Sequence, residues 1–284
     1  MSDLGSGDPA TVLSEEELRR FCAFLYGKTG ISLDEAKRYY IERRLADRID
    51  ITGAASFGAY MNLARTSKAE TEQLINSLTV NETYFYREDH QLRCLSNSLL
   101  PEIVKDRGPG DLVRIWCVPC ATGEEPYSVA IWLLENWPMV DAYNIEIVGS
   151  DIDTKVLEAA KIGSYGERAL SRLPADVIDT YFEPAIGTHR AIIKDLRESV
   201  RFTQVNLIDP ASMATQGRFD IIFCRNVLIY FDDASRLAAS HHLYDNLNPG
   251  GFICLGHTES MSRISDRFEM RRFPDAIVCQ RAAP

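Results

Sequence analysis

Residues 114–130 read RIWCVPCATGEEPYSVA, and two chemistries compete in them. Cys117 and Cys120 are spaced as a dithiol for disulfide exchange, whereas Glu124 and Glu125 sit where a ligand loop would enter a helix. Disulfide exchange needs a thiolate, and in thioredoxin-like centres the helix begins at the first Cys, so that its dipole lowers that pKa. Here Thr122 and Gly123 follow the second Cys, and Pro126 suits a first helical turn. The helix is therefore expected to start near Glu124 to Pro126, downstream of both thiols, which disfavours the redox chemistry. No second CxxC and no suitably spaced His pair accompany them, so no metal site is expected.

The ATGEE half fits a loop beyond the first strand of an open α/β sheet, where ligands bind. A phosphate-binding loop would be rich in Gly and often carry a Lys. This one has a single Gly, no Lys and two acids, which would repel a pyrophosphate. Carboxylates suit a cationic, phosphate-free cofactor, and S-adenosylmethionine carries a sulfonium and an ammonium group. A second strand-like run ends in GSDID; Asp151 there is placed to hold ribose hydroxyls, and Asp153 to cap the helix TKVLEAAK.

Such a site needs a sheet to hold it. LVRIWC (112–117), IEIVGS (145–150), FDIIFC (219–224), GFICLG (251–256) and AIVCQ (276–280) are short apolar runs, mostly separated by helical stretches. That alternation predicts a mainly parallel α/β sheet. Residues 174–205 break it and read as a small antiparallel β insertion. Upstream, residues 14–80 show only helical patterning, four short helices opening with SEEEL, and residues 1–13 are expected to be a disordered tail. The 284 residues allow this two-part organisation, with the sheet domain over 81–284. No apolar run approaches the roughly 18 residues that span a bilayer, and the start lacks a signal-peptide pattern. Seven scattered cysteines suggest reduced thiols in a cytoplasm, and a net charge of −10 argues against nucleic acid as a partner.

NETYFYRE (81–88), ATGEEPYSVA, GSDID, VNLID (205–209), FDIIFCRNVLIYF (219–231) and NPGGFICLGHTE (248–259) occur in that order. Together they resemble the CheR family of chemotaxis-receptor glutamate methyltransferases, over nearly the whole chain from about residue 14. VPC (118–120) departs from the small residues more usual there. The resemblance implies a Rossmann-like class I methyltransferase sheet, an all-α N-terminal domain and a small antiparallel β-subdomain. It implies S-adenosylmethionine as cofactor and S-adenosylhomocysteine as product. Asn81, Thr83 and Arg87 match residues lining the cofactor site. Glu125 matches an acid near the amino-acid end, Asp151 the ribose acid, and Asn206 and Leu207 the adenine contacts. Asn226 and Val227 match residues beside the methionine moiety; Arg87 and Tyr230 match polar residues near the transferring methyl.

The implied nucleophile is a Glu carboxylate, ionised at neutral pH with a pKa of about 4.3, so no general base is required and His257 is expected to be structural. The implied partner is the cytoplasmic helical region of methyl-accepting chemotaxis receptors, met by a monomer without membrane insertion. KRYYIERRLADRI offers a docking helix: Lys37, Arg44 and Arg48 fall within roughly 40° of one another on the helical period. The insertion resembles a subdomain that in some relatives binds a receptor tail peptide by strand addition, but EPAIGTHRAII is short, which leans against a tail requirement. Two alternatives share these residues: methylation of another protein or a small acid, and a non-catalytic S-adenosylmethionine sensor. The basic helix argues for a protein substrate, and Arg87 with Tyr230 for catalysis.

Overall fold

The computed structural model describes residues 12–283, and the chain divides into two compact units at Val80/Asn81. The first unit holds α1 (Glu15–Thr29), a 3-10 turn (Glu35–Lys37), α2 (Arg38–Thr52), α3 (Phe57–Thr66) and α4 (Lys68–Leu78). Ser14 and Glu17 form a reciprocal capping box at α1, and Gly30, with φ 72°, ends that helix in the left-handed conformation. Ser56 and Ser67 cap α3 and α4 through their hydroxyls. Phe21, Leu25, Ile41, Leu45, Tyr60 and Leu74 fill the core between the helices.

One expectation changes here. The tail expected at 1–13 lies outside the described residues as far as residue 11, but Leu13 is a core residue, 1% exposed. Its N–H donates to Glu42 Oε1 at 3.0 Å and its carbonyl accepts from Arg38. The guanidinium of Arg48 is engaged within the helical unit: it pairs with Glu70 at 2.6 Å, and Tyr60 donates to the same carboxylate at 2.8 Å. At 3.6 residues per turn Arg48 lies about 20° from buried Ile41, whereas Arg44 lies about 60° away on the far side from Leu45. The basic run thus straddles the edge of the buried stripe. Lys37, Arg43 and Arg44 remain exposed, with Arg44 over the Tyr40 ring.

The second unit opens with α5 (Asp89–Cys94), which runs through a π turn (Leu95–Leu99) into α6 (Leu100–Val104). Then follow β1 (Leu112–Cys117), α7 (Glu124–Asn136), β2 (Asn144–Asp151), α8 (Thr154–Ile162), β3 (Ser164–Gly166), α9 (Glu167–Leu170), α10 (Ala175–Tyr181), β4 (His189–Ala191), α11 (Lys194–Ser199) and β5 (Val200–Gln204). The chain continues through α12 (Pro210–Ala214), β6 (Phe219–Cys224), a 3-10 turn (Leu228–Tyr230), α13 (Asp233–Asp245), β7 (Leu247–Leu255), β8 (Phe268–Arg272) and β9 (Ile277–Arg281).

The main sheet has the order β5-β2-β1-β6-β7-β9-β8, with β5, β2, β1, β6 and β7 parallel and the β8–β9 hairpin antiparallel at one edge. All six residues of β6 are buried, which is why its sequence is an unbroken apolar run except for Asp220. The order reverses between β1 and β6, so the ligand crevice is expected beyond their carboxyl ends. The small antiparallel insertion is present but narrower than 174–205: between α10 and α11 it consists of β4, which pairs antiparallel with β3 from outside that range, and of the antiparallel bridges Phe182–Ile192 and Ile186–His189. Val200–Gln204 is instead the outer parallel strand beside β2. As an edge strand it is mostly half-buried or exposed, with Val200 its one buried residue, so it lacks the continuous apolar run of a central parallel strand.

Candidate active site

Four loops meet beyond the carboxyl ends of β1, β2, β6 and β7. The β1–α7 loop is anchored on both sides: Val118 N–H donates to Phe223 O and Cys120 N–H to Ser150 O, each at 2.8 Å. Its Val118–Pro119 bond is cis, and Ala121 takes a left-handed φ of 45°. Gly123 has φ 93°, and a Cβ there would lie 2.9 Å from Ala160 Cβ and 3.0 Å from the Tyr165 hydroxyl. Only glycine meets both demands. The helix begins at Glu124, after both cysteines, as expected. Cys117 and Cys120 are buried and free, and burial pushes both thiols well above their ordinary pKa. That environment disfavours the thiolate on which disulfide exchange depends.

Asp151 ends β2 with 3% exposure. One carboxylate oxygen accepts from Ala121 N–H at 2.9 Å and the other from Asp153 N–H at 3.0 Å. Burial pushes its pKa up to about 6 against the pull of those two N–H groups. The same carboxylate therefore shapes the β1 loop and stands at the crevice, with lone pairs left for hydroxyl donors. Asp153 caps α8 through Lys155 and Val156 N–H, as expected, and its other oxygen accepts from Asn81 Nδ2 at 2.9 Å. Asn81 is thus tied to the β2 loop. Thr83 is half-buried in the same segment.

Glu125, in the first turn of α7, is buried and pairs with Arg225 at 2.5 Å. Arg225 escaped the sequence reading, although an arginine placed directly after a fully buried strand is itself a signal. It is 7% exposed, donates to the Arg87 carbonyl at 2.7 Å, and lies 3.9 Å from Glu88. Burial opposes its charge, and Glu125 and Glu88 outweigh that, so its pKa is raised. One guanidinium thereby joins α7, the β6 loop and the 81–88 segment. Tyr86 and Glu88 both adopt left-handed φ values, 57° and 56°. Arg87 donates to Glu82 O at 2.8 Å and lies over the Tyr84 ring.

Beyond β6, Asn226 has a left-handed φ of 59° and Val227 and Tyr230 are half-buried. Asn226 N–H donates to Glu259 Oε2 at 2.8 Å. Asn206 makes a local turn through Ile208 N–H, and buried Leu207 meets His242 Nδ1 at its carbonyl, 2.8 Å away. His242 is therefore a packing residue. His257 is exposed and contacts Glu88 at 3.1 Å. Glu88 and Glu259, like Arg225, were not singled out from the sequence.

Comparison with known proteins gives this geometry a family. The family description "CheR methyltransferase, SAM binding domain" matches residues 81–277, and "CheR methyltransferase, all-alpha domain" matches residues 16–79. The chain belongs to the CheR methyltransferase family. It is 47% identical over 264 residues to "Chemotaxis protein methyltransferase 2" of Vibrio cholerae, covering 92% of this chain and 91% of that one. Identity to the "Chemotaxis protein methyltransferase" of Salmonella typhimurium is 35%, covering 91% and 88%, and to that of Escherichia coli 34%, covering 91% and 89%. The protein is an S-adenosylmethionine-dependent methyltransferase on a Rossmann-like class I sheet, with an all-α N-terminal domain and a small antiparallel β3–β4 sheet.

The residues present fit that cofactor. The crevice offers the carboxylates of Asp151, Glu125 and Glu88, and its buried arginine, Arg225, is already matched by Glu125. That donor set favours a cation with hydroxyls over a phosphate. Among the described residues no helix is long and apolar enough to cross a membrane.

Proposed function

We propose that the enzyme esterifies glutamate side chains of methyl-accepting chemotaxis receptors, forming glutamyl methyl esters. The observation that carries this is the family match across both domains, with curated chemotaxis methyltransferases as full-length relatives. S-adenosylmethionine supplies an electrophilic methyl group on its sulfonium. Asp151 would hold the ribose hydroxyls, Asn206 and Leu207 the adenine end, and Asn81, Thr83, Glu125, Asn226 and Val227 the rest of the cofactor. The incoming carboxylate is already ionised, so the site's task is to orient and desolvate it. Arg87 and Tyr230 are the residues to do this. Arg87 spends one of its five N–H donors on Glu82 O and keeps others for a carboxylate.

The receptor segment carries glutamates, so a cationic docking face is favourable. Lys37, Arg43 and Arg44 supply it from the helical unit, with Arg48 withdrawn into its pair with Glu70. The seven free cysteines suit a reducing cytoplasm, where these receptor regions lie, and we assign the enzyme there as a monomer.

The test is transfer of radiolabelled methyl from S-adenosylmethionine to receptor-bearing membranes. Label released as methanol by mild base is expected; absent or base-stable label rejects a glutamyl ester. In the same assay, reversing Arg43 and Arg44 to Glu should raise the receptor KM several-fold and weaken its salt dependence, with S-adenosylhomocysteine affinity unchanged. An unchanged KM would place docking elsewhere.

A further inference from the structure

The loop that leaves β6 is unusual in being held by a carboxylate from the loop that follows β7. Glu259, three residues past the Gly256 that follows β7, accepts three backbone N–H groups. Oε1 takes Leu228 at 2.7 Å, and Oε2 takes Asn226 at 2.8 Å and Gly256 at 2.9 Å. The fit is tight. A Cβ on Gly256 would lie 2.6 Å from Asn226 Nδ2 and 2.8 Å from Glu259 Oε2. Asn226 is held left-handed, a conformation that costs a non-glycine residue on the order of 1 kcal/mol or more and persists only where its surroundings impose it.

An amide or a hydroxyl cannot replace this group. Three converging N–H donors form a concave nest for negative charge, and a carboxylate has two acceptor oxygens with about four lone-pair sites. An amide in its place turns one oxygen into a donor. Either the Leu228 N–H or the Asn226 and Gly256 pair would then face an N–H group.

We propose that Glu259 is a positioning residue for methyl transfer: its carboxylate fixes the Asn226–Tyr230 turn, and through that turn places Tyr230 and the cofactor contacts at Asn226 and Val227. This rests on the reading that those residues border the cofactor and the transferring methyl. Glu259 itself touches backbone, not substrate. On the far side of the same turn, the Arg225–Glu125 pair holds the preceding residue, so the segment is gripped from helix α7 and from the loop after β7.

Glu259→Gln tests the idea. With S-adenosylmethionine saturating, kcat for receptor methylation should fall about tenfold to a hundredfold, the size of one or two lost charge-assisted hydrogen bonds. S-adenosylhomocysteine affinity should fall less than kcat, and receptor KM should stay within about twofold. Amide exchange at Asn226, Leu228 and Gly256 should accelerate together. A purely structural role would lower the melting temperature while the folded enzyme kept its kcat; that outcome, or unchanged exchange at the three amides, overturns the proposal. Should the variant not fold, exchange in the wild-type enzyme decides: three amides protected to a common level support the nest, and free exchange at Asn226 or Leu228 refutes it. If the wild type proves inactive on receptors, the receptor assignment fails, while cofactor calorimetry and amide exchange still judge Glu259.

Discussion

At the start of β6, Asp220 is 1% exposed and saturated by partners: the Arg107 guanidinium at 3.1 Å, Arg114 N–H at 2.8 Å and Asn248 Nδ2 at 2.8 Å. At the end of the same strand, Arg225 is nearly as buried and is matched by Glu125, but it also reaches the backbone of Arg87. Among the described residues, the four non-glycine residues with left-handed φ are Tyr86, Glu88, Ala121 and Asn226. All four belong to loops at this second end. Each costs on the order of 1–3 kcal/mol. The two ends therefore use similar ion pairs for different purposes. One pair closes the sheet among relaxed elements, and the other holds strained loops together beyond the carboxyl ends of the strands.

The largest effect should come from breaking the second pair. Arg225→Met leaves Glu125 buried without a partner and should cost about 3–5 kcal/mol in urea unfolding, with methyl transfer lost. Adding Glu125→Met removes the stranded charge and should restore most of that stability, because replacing both members of a buried pair by apolar groups is often nearly neutral. Activity should stay low, since the Arg87 carbonyl and the β6 loop remain unlinked. A double variant that regained both would mean that the pair at this end is as purely structural as the one at Asp220.

Asp220→Asn is the matching experiment at the other end. It keeps the shape but weakens the charge-assisted bonds from Arg107 and Arg114, and should cost about 1–3 kcal/mol of stability. At a temperature where the variant is folded, kcat should equal that of the wild type. A fall in kcat without a fall in stability would break the contrast between the two ends.

How far the sequence revealed these ends depended on which residues pack and which bridge. β1, β6, the helical unit and the start of α7 were legible because apolar runs and turn residues report burial and helix entry directly. Asp151 and Asp153 were legible because strand-end acids have few other uses. The ion pair of Arg48 was not legible because a helical wheel cannot say which side of a stripe edge faces inward, and Glu70, its partner, lies on another helix. Arg225, Glu88 and Glu259 were missed for the same physical reason. Their roles depend on partners far along the chain, Asn226 lying 33 positions from Glu259 and Arg87 138 from Arg225, and no local spacing records those contacts. β5 and β8 were missed because edge strands are half polar and lack the continuous apolar run of a central one.

A smaller effect, near 1.4 kcal/mol, is expected from pH at Asp151, which belongs to the same strained end because it holds Ala121. With a pKa of about 6, it is mostly ionised at pH 7 and about one-tenth ionised at pH 5. S-adenosylhomocysteine should therefore bind about tenfold more weakly at pH 5, and Asp151→Asn should bind weakly at both values. The stability sign is the reverse of the common acid case. The folded pKa lies above the ordinary value of 3.8, so the folded state holds its proton more tightly than the unfolded one. This group's contribution is fully present below about pH 4 and is lost as pH rises towards 6. Calorimetry across pH 5 to 7 checks the affinity; a flat profile would mean that Asp151 does not meet the cofactor in its ionised form.

The smallest effect concerns the thiols beside the strained Ala121. If the distortion of the β1 loop served redox chemistry, Cys117 and Cys120 would have to be accessible thiolates. Both are instead buried, along with Cys94, Cys224 and Cys254, while Cys22 and Cys279 are half-buried. Burial raises the pKa of all seven thiols. A thiol reagent added to the native enzyme should therefore modify Cys22 and Cys279 first, and the other five only at the rate of unfolding. Replacing Cys117 and Cys120 together by Ala removes two small buried sulfurs and leaves the N–H of Cys120 on Ser150 O and that of Ala121 on Asp151. The loop keeps its anchors, so methyl transfer should remain within about twofold, less than roughly 0.5 kcal/mol of barrier. Rapid labelling of either cysteine in the folded state, or a folded double variant without activity, would give the β1 loop a thiol function and separate its strain from that of the loop beyond β6.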